Sequence, residues 1–145
     1  MTIKLDTETL RYMAALGKTT GAQVVDCIVD GTTIIYVVEQ GQLGTAIGKG
    51  GVNVKRLSTQ LGRKMHIIEL HSDPVQFTGN LLGGEKNGRK CWKNIFLKED
   101  GETKRIVIES DLKSRGTILG KGGKNIEMIK NLLKRHHGIE DVIVR

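Results

Sequence analysis

Gly44-Thr45-Ala46-Ile47-Gly48-Lys49-Gly50-Gly51-Val52-Asn53-Val54 recurs 72 residues later as Gly116-Thr117-Ile118-Leu119-Gly120-Lys121-Gly122-Gly123-Lys124-Asn125-Ile126, with seven of the eleven positions identical. Three of the remaining four exchange one apolar residue for another, so the two segments are expected to share a backbone shape. The odd pair is Val52 and Lys124. A glycine-rich, lysine-bearing loop that opens a helix lets the backbone of a polyanion come close. Its duplication suggests one extended ligand held at two points.

Working outward, the repeat divides the 145 residues into two domains of about 70, residues 1–72 and 73–145. Cores of that size are small, so the halves are expected to share an interface. Twenty-three Lys and Arg against 16 Asp and Glu give a net charge of +7, which favours phosphate-bearing partners. The second half carries +5 of this and the first +2, making the second the stronger expected attractor. Cys27 and Cys91 stand 64 residues apart with no Cys-x-x-Cys pair, so neither a disulfide framework nor a zinc site is indicated. No stretch approaches the apolar length of a membrane span, and Met1-Thr2-Ile3-Lys4 lacks a signal-peptide apolar region. A cytoplasmic or nucleoid location is the resulting expectation, with no membrane partner.

Each half reads helix, strand, strand, helix, glycine loop, helix, strand. In the first, Asp6 caps a helix through about Leu16, with Gly17 placed to end it. Val24 to Val29 and Ile34 to Val38 flank an Asp30-Gly31 turn, a short helix covers Gln40 to Ile47, Val54, Leu57 and Leu61 stripe the helix after the loop, and Met65 to Leu70 closes the unit. In the second, Pro74 sits at the first helical position behind Asp73, and Gly83-Gly84 ends that helix. Cys91 to Lys98 and Arg105 to Ile108 are the strands around Asp100-Gly101. Asp111 caps the short helix, Ile126, Ile129, Leu132 and Leu133 form a stripe, and Asp141 to Arg145 is the last strand.

Enzymatic rivals fail on spacing. A P-loop needs Gly-x-x-x-x-Gly-Lys-Ser/Thr, whereas Gly44 to Lys49 is one residue short and lacks the magnesium-binding hydroxyl; the second copy departs identically. A dinucleotide fingerprint meets Asn53 or Asn125 where its third glycine belongs. His66, His71, His136 and His137 have no metal-ligand spacing and read as solvated groups or phosphate contacts. Both cysteines fall in strand-like segments and read as small buried hydrophobes. No catalytic residue, metal, cofactor or small-molecule substrate is assigned. The five aromatic residues are too dispersed for a stacking platform, which favours groove binding by shape and backbone. Trp92 reads as an interdomain packing residue in preference to an exposed stacker, and the basic run Lys86, Arg89, Lys90 and Lys93 as either an extension of a ligand path or a solvated edge.

Gly48-Lys49-Gly50-Gly51 and Gly120-Lys121-Gly122-Gly123, each preceded by an apolar residue and followed by Asn and Val or Ile on a helix, resemble the Gly-x-x-Gly loops of KH domains. The extra helix and strand before the core resemble the type II arrangement. The resemblance implies an α+β fold of two tandem type II KH domains, each a three-stranded mixed sheet packed on helices. A chain made of two such domains is similar to the archaeal NusA family of transcription factors. That likeness implies binding to nascent transcript, modulation of pausing, termination or antitermination, and RNA polymerase as a partner. A ribosome-associated or RNA-processing adaptor, and a protein-interaction scaffold on the same fold, are the other readings.

The residues argue for single-stranded RNA beside the resemblance, with single-stranded DNA left open because no group is assigned to a 2′-hydroxyl. Lys49 and Lys121 lie between the loop glycines and face the phosphates, with Lys124 adding a third cation. Backbone amides at the helix starts add donors. Ile47, Val54, Leu119 and Ile126 supply an apolar floor for bases. Asn53 and Asn125 either read or brace there, or bond to the backbone of their own helix start.

Overall fold

The computed structural model describes residues 6–145; the N-terminal segment read above as lacking a signal-peptide apolar region lies outside them. The chain forms two compact units that divide between His71 and Ser72. In the first, α1 (Thr7–Thr20) leads to β1 (Val24–Asp30), β2 (Thr33–Val38), α2 (Leu43–Ile47), α3 (Val52–Leu61) and β3 (Lys64–Glu69). The second repeats the order with α4 (Pro74–Leu81), β4 (Asn94–Asp100), β5 (Thr103–Glu109), α5 (Leu112–Leu119), α6 (Lys124–His137) and β6 (Asp141–Val144). Both are α+β, each with a three-stranded mixed sheet: order β1-β2-β3 in one and β4-β5-β6 in the other. The first two strands of each are antiparallel, and the third is parallel to the central one.

Alternation along β2 turns Ile34, Tyr36 and Val38 into the first core, where they meet Leu16, Ala46 and Leu57, all buried to 1 % exposure or less. The Tyr36 hydroxyl donates to the Tyr12 carbonyl at 2.8 Å, which satisfies it inside the core. Burial pushes this phenol's pKa up. In the second unit Ile106 and Ile108 of β5 pack with Ile118, Ile129, Leu132 and Leu133 in a core that also buries Phe77. Both hairpins place glycine at the first loop position, Gly31 and Gly101, between the paired residues Asp30 and Thr33 or Asp100 and Thr103. The turns are therefore Gly31-Thr32 and Gly101-Glu102, one residue beyond the Asp-Gly reading.

Helix α1 runs past Gly17 to Thr20. Gly21, with φ of +77°, supplies the left-handed end, and the Thr20 hydroxyl donates to the Leu16 carbonyl at 2.7 Å. A mid-helix glycine costs about 1 kcal/mol, and the Gly21 amide donating to the Gly17 carbonyl at 2.8 Å closes the helix four residues later. Strand β4 begins at Asn94, so Cys91 and Trp92 belong to the preceding loop instead. Helix α2 begins at Leu43, after a turn through Gln40 and Gly41. His136 and His137 pack their rings 6.0 and 5.4 Å from that of Phe77, so they are not simply solvated.

Asp6, Asp73 and Asp111 cap α1, α4 and α5 through their side chains. The Asp111 carboxylate accepts from the Ser114 amide at 2.8 Å, and that bond holds its pKa below the usual value. A carboxylate depressed in the folded state stabilises above its unfolded pKa and loses that contribution as pH falls through the folded one. Asp111→Asn keeps the cap but removes the charge. Acid titration followed by circular dichroism is expected to show a smaller loss of stability below about pH 4 for this variant than for the native chain.

Candidate nucleic-acid interface

The two glycine loops have the same backbone almost to the degree. Gly48 and Gly120 adopt φ/ψ of 77°/168° and 75°/169°; Gly50 and Gly122 adopt 65°/18° and 66°/19°; Gly51 and Gly123 adopt 75°/18° and 75°/13°. Three positive-φ residues in four positions favour glycine there, leaving only Lys49 and Lys121 with side chains. Both lysines are exposed. The loop closes as a single 3-10 turn, with the Gly51 amide donating to Gly48 and the Gly123 amide to Gly120, each at 3.1 Å. Helices α3 and α6 follow at once with no side-chain cap, so their first-turn amides and positive dipole ends face the loop unclaimed by a carboxylate cap.

Asn53 and Asn125 brace. Asn53 Nδ2 donates to the Thr45 carbonyl at 3.2 Å, and Asn125 Nδ2 donates to the Thr117 and Ile118 carbonyls at 3.4 and 2.9 Å. Each ties the start of the helix after the loop to the end of the helix before it. The close approach this creates is what requires Gly48 and Gly120. A Cβ at 48 would stand 2.7 Å from Asn53 Nδ2, and one at 120 would stand 2.6 Å from Asn125 Cβ and 2.9 Å from its amide nitrogen.

Beside the first loop lies a cavity of about 310 Å³ lined by Ile47, Gly51 and Val54 from the loop side and by Met65, His66 and Ile67 of β3, with Lys55 at its edge. Ile47, Gly51 and Val54 are thus brought together as the pattern suggests. The β3 wall is not visible in the pattern, because it depends on the parallel register that sets Ile34 beside Met65, Ile35 beside His66 and Tyr36 beside Ile67.

In the second unit Ile126 is buried while Leu119 is exposed, as are Lys121 and Lys124. The same register carries different residues there. Arg105 pairs with Asp141 and Ile106 with Val142, while the Glu140 amide donates to the Lys104 carbonyl at 2.8 Å. Counting from the equivalent hairpin turns, Glu140, Asp141 and Val142 stand where Met65, His66 and Ile67 stand in the first unit. Glu127 likewise stands where Lys55 does, four residues beyond the last loop glycine. Three carboxylates, Glu127, Glu140 and Asp141, therefore occupy the positions equivalent to Lys55, Met65 and His66, and this acidic wall has Asp141 paired with Lys130 at 3.6 Å. Lys124 alone favours the second loop for phosphate, but this wall opposes it.

No described helix is long and apolar enough to cross a membrane. The sequence profile of the KH domain matches residues 10–76. The chain is 33% identical over 144 residues to the probable transcription termination protein NusA of Methanococcus vannielii, covering 99% of this chain and 80% of that protein. The protein of the same description from Halobacterium salinarum is 33% identical over 142 residues and matched over 98% of both chains. A crystal structure of the protein APE1850 superimposes with a TM-score of 0.74 at 33% identity, over 97% of this chain and 100% of that one. A KH profile over the first glycine loop and relatives of this identity along nearly the whole length agree with the loop geometry: the chain belongs to the archaeal NusA family.

Proposed function

We propose that the chain is a single-stranded RNA-binding transcription factor in which two type II KH domains, residues 1–72 and 73–145, hold one strand at two loops. The observation that carries this reading is the pair of matching glycine loops, each presenting one exposed lysine and an uncapped helix start. Gly48, Lys49, Gly50 and Gly51 bring a sugar-phosphate backbone against α3, and Gly120, Lys121, Gly122 and Gly123 do the same at α6, with Lys124 adding a cation. Ile47 and Val54, with Leu119 and Ile126 in the second unit, floor the grooves, and Asn53 and Asn125 hold them open. The bound strand is nascent transcript and the protein partner is RNA polymerase, where the factor modulates pausing or termination in the cytoplasm. The chain performs no catalysis in this role.

Fluorescence anisotropy of a labelled random-sequence single-stranded RNA, titrated across a salt series, tests the reading. Phosphate contacts by Lys49, Lys121 and Lys124 contribute about −2 to the slope of log affinity against log salt, at roughly −0.7 per contact. Salt-independent binding, or none, would overturn it. Co-purification with polymerase separates a transcription factor from an RNA-processing adaptor.

The unlike walls make the first groove the better seat for a base. Glu127→Lys with Glu140→Met in the full chain is expected to raise RNA affinity roughly threefold to tenfold, about 1 kcal/mol. Lys55→Glu is expected to lower it by a similar factor in the same titration.

A further inference from the structure

The second unit carries a segment the first lacks. Three residues join α1 to β1, whereas Leu82–Lys93, twelve residues, join α4 to β4. The insert is ordered around a tight turn. Asn87 and Gly88 are both left-handed, at φ of 54° and 73°, and the Lys86 and Arg89 backbones exchange hydrogen bonds of 2.8 and 2.9 Å. Two left-handed central residues are the signature of a type I′ turn, which fixes a miniature hairpin. Its base is fastened by the Gly84 amide to the Gly79 carbonyl at 2.9 Å and by the Lys93 amide to Glu109 at 2.7 Å.

This hairpin carries four cations, Lys86, Arg89, Lys90 and Lys93, against one carboxylate, Glu85. All four cations are exposed, and among the described residues none forms a salt bridge. Between the hairpin and α4 lies a cleft of about 390 Å³ whose lining includes Lys90, Trp92 and Lys93. A cleft of this size accepts a nucleotide-sized group. Trp92 is seated on α4 at Gly79, where an added Cβ would stand 3.4 Å from the indole. A glycine inside a helix costs about 1 kcal/mol, and here it lets the ring lie close to the helix. Lys90 Nζ lies over the indole, 5.6 Å from its centroid, in a cation-π contact.

We propose that the hairpin and this cleft form a third RNA-binding point, where a base stacks on Trp92 and the flanking phosphates are held by Lys86, Arg89, Lys90 and Lys93. The proposal rests on the RNA-binding reading above and adds a site outside both glycine loops. On binding, Lys90 exchanges its contact with the indole for one with phosphate. Stacking on one aromatic ring with surrounding cations is the sequence-tolerant mode of single-strand recognition.

Trp92 is the only tryptophan of the chain, so its emission reports this site. The full chain is titrated with a random-sequence 12-nucleotide RNA by tryptophan emission, and with the same RNA labelled by anisotropy. Three proteins are compared: native, the hairpin variant Lys86→Glu/Arg89→Glu/Lys90→Glu/Lys93→Glu, and the loop variant Lys49→Asp/Lys121→Asp. The native chain is expected to quench as RNA binds. The loop variant retains saturable quenching at weaker affinity. The hairpin variant loses the quenching, binds roughly tenfold or more weakly by anisotropy, and has a salt slope shallower by about 3, which leaves the contribution of the loops. Native binding without any change in Trp92 emission, joined to unchanged affinity of the hairpin variant, would overturn the third site and leave the loops standing. Displacement of RNA from Trp92 by polyglutamate at equal charge concentration would overturn it in favour of an acidic protein partner. Absence of RNA binding by the native chain would sink the RNA reading and this site together.

Discussion

Changing Lys49, Gly50, Lys121 and Gly122 together to aspartate is expected to lower affinity for single-stranded RNA by roughly a hundredfold or more, with the fold intact. The loss follows from charge placed where the proposed binding mode puts phosphate. Each lysine change removes a cation and adds an anion, and each glycine change adds an anion, so the net charge falls by six from +7. All six units are lost at the two loops. A loss of about 3 kcal/mol, or a factor of about 150, corresponds to less than 1 kcal/mol for each altered residue. The fold survives because the substituted glycines are the tolerant ones. A Cβ at Gly50 or Gly122 meets no atom within 4 Å, and their φ/ψ values near 65°/18° lie in the left-handed region that Asp visits more readily than most residues. Circular dichroism matching the native chain, with anisotropy titrations at two salt concentrations, provides the check. Unchanged affinity would make the loops structural elements only.

The neighbouring glycines behave in the opposite way. Gly120→Ala is expected to destabilise the second unit by roughly 3 to 5 kcal/mol, from a backbone region almost confined to glycine plus steric overlap. For a unit of this size that is a fall in melting temperature of about 15 °C or more. Gly48→Ala meets the same backbone strain, but its overlap is with the end of the Asn53 side chain, whereas at Gly120 the obstacles are the Cβ and amide nitrogen of Asn125. Removing the asparagine side chain separates the two. Asn53→Ala is expected to relieve much of the overlap at position 48. Asn125→Ala relieves little at position 120, because the obstructing atoms remain. Thermal unfolding of both double-mutant cycles measures this as a large coupling energy for the first pair and a small one for the second. Equal couplings would place the cost in the backbone alone.

Local signals were legible. The duplicated loop, the caps Asp6, Asp73 and Asp111, Pro74 at its helix start and the apolar stripe Ile126, Ile129, Leu132 and Leu133 each depend on neighbours within a turn or two, and each occupies its expected element. What failed was governed by distant contacts. Gly17 is the exception: it looked like a terminus, and Gly21, four residues on, takes that role through an equally local end. Cys91 and Trp92 looked like strand, but both precede β4, and the Trp92 ring lies on Gly79 of α4. The groove walls were the largest omission. Met65, His66 and Ile67 line the first cavity only through a parallel pairing that spans about 30 residues, and the contrasting Glu140, Asp141 and Val142 emerge only by counting that register twice.

The position of those walls ties occupancy of a groove to the integrity of its unit. β3 and β6 lie at sheet edges, held by hydrogen bonds to one strand only, and β6 is just four residues long. Such a strand opens at less cost than the hairpin it joins. In the proposed binding mode a strand of RNA reaches from a glycine loop to the edge strand of the same unit, so opening of that strand competes with binding. Amide exchange along β3, the wall of the better-suited groove, is therefore expected to slow more on RNA addition than exchange along the β1-β2 hairpin.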